Sequence, residues 1–320
     1  MINRREFSLG AMSFFAPAQK EKMTPTERVT AVLKGRMPDR PPFSFWHHFH
    51  DEAQPPEKHA AFTMDYQRRY HLDFVKVMSD YPYPKPARGE WYEVKPLDSP
   101  FPQQLRALEL IRDGLAGQKY FLETQFNPWN VAEKLSSREA VLRLMHDRPQ
   151  TLLDALESIA KSEANHVKAA LEAGASGVFL SIANAQQGVM TLAEYRKFSE
   201  PFDRMVLAAA QGAPMNTLHL HGDRVILDYF FKGWNVPIIQ FSVAGTKFPM
   251  SEARRRFNGV LMGGLDENKS VSSSAADLAT LIQRARVAAP KWICAPGCSI
   301  PDDATDANQL KLSRALHAER

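Results

Sequence analysis

Short apolar runs alternate with longer amphipathic stretches along most of the chain. Gly, Pro or polar residues bound each run, which is typical of buried strands. The strand-like runs lie at residues 42–46, 74–78, 120–126, 177–182, 215–221, 237–242, 259–266 and 291–298. Helical spacing of apolar residues occupies 105–115, 138–172, 191–210, 272–289 and 303–318. Residues 90–94 read as a short inserted hairpin strand, and Thr191 with Glu194 forms a capping-box pattern.

Strand-like runs that are each followed by helix predict an α/β protein with a single (β/α)8 TIM-type barrel over residues 23–320. The alternative is an open doubly wound sheet, which would carry a Gly-rich phosphate turn after an early strand. No such turn is present, and residues 259–264 lack its spacing. In a barrel, chemistry collects where the strands end. The polar and aromatic residues at these ends are His47, His48, His50, Asp80, Asn127, Trp129, His219, His221, Gln240, Ser242, Asp266 and Cys298.

The first 22 residues are set apart from this pattern. Asn3-Arg4-Arg5-Glu6-Phe7 resembles a twin-arginine export signal, and Ala16-Pro17-Ala18 resembles a cleavage site. A disordered extension, or a true start at Met23, would account for the same residues equally well. We expect a cytoplasmic protein, with export through this N-terminus as the alternative.

Composition narrows the function classes. With 44% hydrophobic and 24% charged residues, the chain is of ordinary globular type. A net charge of +4 without a dense basic cluster argues against nucleic acid, and no apolar stretch is long enough to span a membrane. The two cysteines cannot form a disulfide framework. A small-molecule substrate is the expected partner.

His219 and His221 stand two residues apart at the end of a strand-like run, and Cys298 follows another run. A strand projects residues i and i+2 to the same side, so both imidazoles face one way and a thiol from a second strand end can meet them. Two imidazoles and one thiolate match a catalytic zinc site with an open position. Two histidines that cap a strand, beside a buried free cysteine, are the simpler alternative.

Several stretches, in order, resemble the uroporphyrinogen decarboxylase superfamily, which contains the decarboxylase and zinc-dependent corrinoid methyltransferases. They lie at 26–40, 73–80, 126–129, 195–202, 219–222 (His-Leu-His-Gly), 262–266 (Met-Gly-Gly-Leu-Asp) and 296–308. Together they extend from about residue 24 to the end of the chain. The resemblance implies the same barrel that the periodicity predicts.

The decarboxylase branch of the superfamily fits poorly. Its Arg-rich first loop, which holds a substrate with eight carboxylates, is replaced by His47-His48-Phe49-His50-Asp51-Glu52. Its aspartate is matched by Asp80, whereas its tyrosine falls on Lys134, its serine on the serine-free stretch 184–187 and its histidine on Cys298. The resemblance therefore predicts weak or no uroporphyrinogen decarboxylation.

The methyltransferase branch fits better, because its His-x-Cys and later Cys bind zinc and correspond here to His219-x-His221 and Cys298. We expect one zinc ion on these three residues, with Asp223 and Asp266 as carboxylates that orient the imidazoles. His48 or His50 is expected to be a fourth ligand or a substrate contact, with a surface role as the equal alternative.

Together with the three candidate ligands, the resemblance implies a metal-dependent methyl transfer from a corrinoid-type donor, carried by a partner protein or free, to a thiol. Asp80 is predicted to orient the substrate from the barrel mouth near the histidine pair, and His48, Asn127 and Trp129 are predicted to bind it. The alternatives are a decarboxylase that binds its tetrapyrrole differently, and a non-catalytic corrinoid or tetrapyrrole carrier.

Overall fold

The computed structural model of the protein describes residues 23–48 and 54–318. Its strands form one parallel sheet in which each strand pairs with the next along the chain. They are β1 (Phe74–Val77), β2 (Tyr120–Phe126), β3 (Val178–Ile182), β4 (Thr217–Leu220), β5 (Ile238–Phe241), β6 (Val260–Leu265) and β7 (Trp292–Pro296). The sheet curls into a barrel with helices around it, which confirms the predicted fold.

Helices precede β1, connect the strands and follow β7. They are α1 (Pro25–Leu33), α2 (Pro56–Arg69), α3 (Pro102–Leu115), α4 (Pro128–Leu135), α5 (Arg138–Asp147), α6 (Pro149–Glu172), α7 (Leu192–Phe198), α8 (Glu200–Ala209), α9 (Leu227–Phe230), α10 (Val243–Thr246), α11 (Met250–Arg256), α12 (Ala275–Ala285) and α13 (Asp306–Ala318). Short 3-10 helices span Trp91–Glu93 and Arg286–Ala288.

The first predicted strand, residues 42–46, closes the barrel between β7 and β1 but pairs through little more than an isolated bridge. We call it the closing segment. The Cys294 N–H donates to the Pro42 carbonyl at 2.9 Å, and the Asp73 N–H donates to the Phe43 carbonyl at 2.9 Å. Pro42 has no N–H to donate, which limits the hydrogen-bond ladder on this segment.

A buried carboxylate ties the closing segment to the sheet. Asp73 accepts hydrogen bonds from Arg28 at 2.7 Å, from Arg40 at 2.5 Å and from the Phe43 N–H at 2.9 Å. A buried charge is tolerated when it is paired and hydrogen-bonded in this way. The two arginines belong to the stretch at 26–40 that carries part of the family resemblance.

Alternation along the strands divides the side chains between two cores. Phe74, Leu122 and Phe179 pack inside the barrel, whereas the side chains of Glu123 and Gln125 bond to α6 outside it. This period of two is the geometry of a pleated strand. These two polar side chains of β2 therefore face the helical layer.

Two predicted elements differ from the structure in their detail, and a third agrees with it. Residues 90–94 do not form a strand, because the Glu93 side chain accepts from the Glu90 N–H and closes a 3-10 turn. The helix predicted at 191–210 divides at Ser199, just before Pro201 restricts the backbone. Pro149 separates α5 from α6, where the sequence places it.

Three groups of residues lie outside the described part of the chain. They are residues 1–22, which hold the twin-arginine-like motif, residues 49–53, which hold His50, Asp51 and Glu52, and residues 319–320. Across the described ranges, no helix combines the length and the apolar character needed to cross a membrane.

Candidate functional site

Three predicted ligands meet at the ends of β4 and β7. The Cys298 sulfur lies 3.8 Å from His219 Nε2 and 3.4 Å from His221 Nδ1. One ligand atom from each residue lies within 4.8 Å of the other two. Bonds of about 2.0–2.3 Å to one ion at tetrahedral angles place ligand atoms about 3.3–3.8 Å apart. The two sulfur–nitrogen distances therefore fit a shared metal ion.

The backbone explains why these side chains converge. His219 lies on β4, and the His221 N–H continues the ladder by donating to the Ile182 carbonyl of β3 at 2.9 Å. Both imidazoles consequently share one side. The residue before Cys298 is Gly297, and its lack of a side chain lets the backbone pass close to Ser242 at the end of β5. A Cβ at Gly297 would lie only 2.4 Å from the Ser242 Cα.

The electrostatics favour the protonation states that a metal ion needs. Burial lowers the pKa of His219, and loss of hydration also lowers the pKa of His221, so both rings are neutral donors. Burial opposes ionisation of Cys298, but the hydrogen bond with His219 and the positive charge of Lys76 still bring the pKa of its thiol below its usual value. His219 is buried and His221 is exposed, so the group is open on one side.

The carboxylates predicted to orient the histidines do not do so. Asp223 is an exposed residue beside Arg224, and Asp266 accepts the N–H groups of Asn268 and Lys269 in its own turn. Both aspartate side chains interact with residues next to them in the sequence, as is usual for aspartate in turns.

Glu267 is the carboxylate that the sequence analysis missed. Its Oε1 accepts from the Ser242 hydroxyl at 2.6 Å, and its Oε2 is buried without a partner among the described residues. Its negative charge raises the pKa of His221 against the effect of desolvation. The sequence feature that could have indicated Glu267 is its position directly after Asp266, at the end of β6.

Asp80 and His48 lie together on the wall of a cavity of about 480 Å³ at the ends of β1 and β2. His48 Nδ1 is 3.4 Å from Asp80 Oδ1. Burial opposes ionisation of Asp80, yet the hydrogen bond with His48 and the charges of His59, His48 and Lys76 hold the pKa of its carboxyl below the usual value. Asp80 thus faces this cavity, and within the described ranges no hydrogen bond or ion pair joins it to His219 or His221.

Lys76 is a second residue that the sequence analysis passed over. It is only 7% exposed on β1, and its ammonium donates to the Met78 sulfur at 3.1 Å and lies over the Phe179 ring. Burial lowers its pKa to about 8, against the opposing charges of Cys298, Asp80 and Glu123. The ammonium therefore acts on both the three-ligand group and the Asp80 cavity. A lysine within the apolar run 74–78 was the signal.

The structure does not support the predicted substrate contacts of Asn127 and Trp129. Both are fully buried. Asn127 caps α4 and donates to Asn184, Ser199 and Asp203, and Trp129 donates to Glu133 at 3.0 Å. A residue that follows a parallel strand can cap the next helix instead of facing a ligand.

Comparisons with known proteins identify the family and the fold. The family model described as Uroporphyrinogen decarboxylase (URO-D) matches residues 81–318. A solved structure of a methyltransferase from Methanosarcina mazei has a TM-score of 0.77 and 17% sequence identity, covering 93% of this chain and 99% of that chain. A B12-independent methionine synthase from Shewanella sp. W3-18-1 has a TM-score of 0.58 and 13% identity, covering 87% and 92% respectively. These structural likenesses concern the fold. Among curated proteins, the comparison found no match.

Proposed function

Because the chain belongs to the uroporphyrinogen decarboxylase family, we propose that it is a metal-dependent methyltransferase that moves a methyl group from a corrinoid-type donor to a thiol. The observation that supports this proposal is the convergence of two imidazoles and one thiol at the barrel mouth. The methyltransferase from Methanosarcina mazei, with its similar fold over nearly the whole chain, agrees with it.

His219, His221 and Cys298 would hold the ion, since their donor atoms are close enough to share it and their pKa values favour the binding forms. A bound zinc ion supplies a Lewis acid that lowers the pKa of a thiol substrate. The exposed side of His221 leaves room for that thiol. In the transfer, the thiol releases its proton to solvent and its sulfur forms a bond to the methyl carbon. The bond between that carbon and the donor breaks, and its electron pair stays with the donor.

Asp80 and His48 would position the substrate from the cavity. Asp80 Oδ2 is buried without a partner among the described residues, so it can accept a hydrogen bond from a bound molecule. Lys76 would provide a positive charge that acts on both Cys298 and Asp80. At Cys298 this charge favours the thiolate over the thiol. No role is proposed for Asn127 or Trp129.

Decarboxylation of a tetrapyrrole is the second candidate, and the presence of Asp80 on the cavity wall favours it. The charges in the cavity weigh against it. Lys85 and Lys134 are the permanent cations among the lining residues, and Asp80 opposes them. A substrate with eight carboxylates needs more cations or oriented N–H groups to replace its lost hydration.

Two measurements test the proposal. We expect one zinc ion per chain by elemental analysis, and loss of the methylcobalamin spectrum when a small thiol such as 2-mercaptoethanol is added. Cys298→Ser should lose the metal and lower the transfer rate by at least about 1000-fold, because it removes the thiolate ligand. Cys294→Ser is the matched control, since Cys294 is buried on β7 outside the three-ligand group, and it should keep both properties.

Each contrary result has a defined meaning. Metal-free protein with full transfer activity would contradict the metal centre. Conversion of uroporphyrinogen to coproporphyrinogen without methyl transfer would favour the decarboxylase. Binding of methylcobalamin or a tetrapyrrole with no turnover of either would favour a carrier.

A further inference from the structure

The cavity beside Asp80 is lined by aromatic side chains, and the hydroxyl groups of its tyrosines already have hydrogen-bond partners within the protein. The Tyr81 hydroxyl donates to the Gln54 carbonyl at 2.9 Å, and the Tyr83 hydroxyl donates to the Ser162 hydroxyl at 2.9 Å. Phe101 and Phe126 line the same space. The walls therefore offer a ligand ring faces and ring edges, which favour flat apolar groups.

Two buried polar side chains line the cavity between β2 and α6. Gln125 Nε2 donates to Glu163 Oε1 at 2.8 Å. The other two oxygens, Gln125 Oε1 and Glu163 Oε2, are buried and have no hydrogen-bond partner among the described residues. An unsatisfied buried polar atom is costly, so a pair of them beside a cavity is most simply explained by a ligand that bonds to both.

Glu163 is a neutral acid in this setting. Burial raises the pKa of its carboxyl well above the usual value, and the hydrogen bond from Gln125 opposes that rise without cancelling it. The charge of Asp203 raises the pKa further, whereas the charge of Lys134 lowers it. The pair therefore presents one O–H donor, on Glu163, and one carbonyl acceptor, on Gln125.

Charges elsewhere in the cavity do not change the character of this pair. Asp80 lies on the wall at the end of β1, and the exposed lysines Lys85 and Lys134 also line the cavity. A carboxylate placed at the pair would face the Gln125 oxygen, and a cation would face an O–H donor. Only a neutral group with an acceptor beside a donor satisfies both side chains.

We propose that this cavity binds a small molecule through an amide edge, whose oxygen accepts from Glu163 and whose N–H donates to Gln125 Oε1. A flat carboxamide or a cyclic amide has this arrangement, and its ring would pack against the aromatic walls. The inference rests on the proposed function only in taking the cavity as the substrate site, and binding to it requires neither the metal nor turnover.

Three probes of the same shape test the proposal at pH 7, by ligand-observed NMR titration of the full chain. Benzamide offers an acceptor and a donor, benzoate offers two acceptors and a negative charge, and benzamidine offers donors and a positive charge. We expect benzamide to bind at least about tenfold more tightly than either of the others, because each of them leaves one buried oxygen mismatched. Tighter binding of benzamidine would show an ionised Glu163, and tighter binding of benzoate would show a lysine-dominated anion site. Either outcome, or no binding of benzamide, would overturn the proposal.

Variants separate the neutral acid from a structural role. Glu163→Gln keeps a neutral group with one donor and one acceptor, so benzamide binding should stay within about threefold, whereas Glu163→Leu and Gln125→Leu should each lose at least about tenfold. Glu172→Gln, at an exposed position on the same helix, is the control and should bind normally. If the leucine variants fail to fold, the probe preference of wild type and Glu163→Gln still decides the outcome. Cys298→Ser should bind benzamide unchanged even though it loses metal, so failure of this inference and failure of the proposed function are distinguishable.

Discussion

The barrel mouth has two halves that are built in opposite ways. On the half formed by β4 and β7, His219, His221 and Cys298 converge on one another. On the half formed by β1 and β2, Glu123 of β2 bonds to His166 of α6, and Glu163 of α6 accepts from Gln125 of β2, so both buried carboxyl groups bond between the sheet and the helical layer. The first half lowers the pKa of its thiol, whereas the second raises the pKa of Glu163. We conclude that side chains directed at the mouth suit metal binding, and side chains directed at the helices suit a neutral polar pocket.

The strongest test of this division removes the buried hydrogen-bonded carboxyl group of Glu123 behind the cavity. Glu123 bonds to His166 and to Gln104, each at 2.8 Å, in a fully buried setting. Glu123→Leu leaves His166 Nε2 without this partner and removes one of the two hydrogen bonds of Gln104 Nε2, whose bond to the Met78 carbonyl remains. It should lower the free energy of unfolding by roughly 2–4 kcal/mol, measured by chemical denaturation. The metal content of folded protein should not change.

An exposed ion pair provides the control. Glu157→Ala removes the surface pair with Lys161 and should cost at most about 1 kcal/mol. Loss of metal from folded Glu123→Leu protein would show that the two halves are not separate.

Asp203 on α8, which accepts from Asn127 at the end of β2, should also give the protein a distinctive pH dependence. Burial raises the pKa of Asp203 to about 7, against the hydrogen bonds from Tyr195, Asn127 and Ser199. An unfolded aspartate has a pKa of about 3.9, so between about pH 4 and 7 the folded state holds a proton that the unfolded state has released. This contribution to stability is present at low pH and is lost as the pH rises, by at most about 1.4 kcal/mol per pH unit.

Asp203→Asn should flatten that part of the stability profile. Urea denaturation of both proteins at several pH values between 4.5 and 7.5 measures the difference. Parallel profiles for the variant and the wild type would contradict a raised pKa at this position.

Asp80 should affect the reaction and leave the metal in place. Asp80→Asn keeps the size of the side chain but removes its charge, and with it the interaction with His48. We expect methyl transfer, measured as kcat/KM, to fall by about 10–100-fold, with zinc content unchanged. Asp303→Asn, at an exposed position, should stay within about twofold. Equal losses in the two variants would remove Asp80 from the site.

Lys76, between the halves, should show the smallest change. Its ammonium is buried and makes no ion pair with a carboxylate among the described residues, so Lys76→Met should raise the free energy of unfolding by about 1–2 kcal/mol. The transfer rate should fall about tenfold, because the nearby positive charge is lost. Lys95→Met, at an exposed position, is the control for both measurements. A variant that is less stable and fully active would show that Lys76 is structural.

Much of the barrel was predictable, because its strands and helices leave local signals. The apolar runs located β1 to β7, and Pro149 located the break between α5 and α6. Alternation placed His219 and His221 on one side, and the family resemblance pointed to Cys298, so the three-ligand group could be named in advance. Asn127 shows the limit of such reasoning, because the same residue type can cap a helix or contact a substrate.

The sequence by itself determined the order of strands and helices, and which residues stand at the strand ends, since both depend on near neighbours along the chain. Only the tertiary structure decided which of those residues meet. It turned Asn127 away from the cavity, replaced Asp266 by Glu267 beside His221, and paired Gln125 on β2 with Glu163 on α6. The last pair lies 38 residues apart. Contacts of this kind arise from the packing of helices on the barrel, and the energies of buried polar groups depend on partners that no local pattern records.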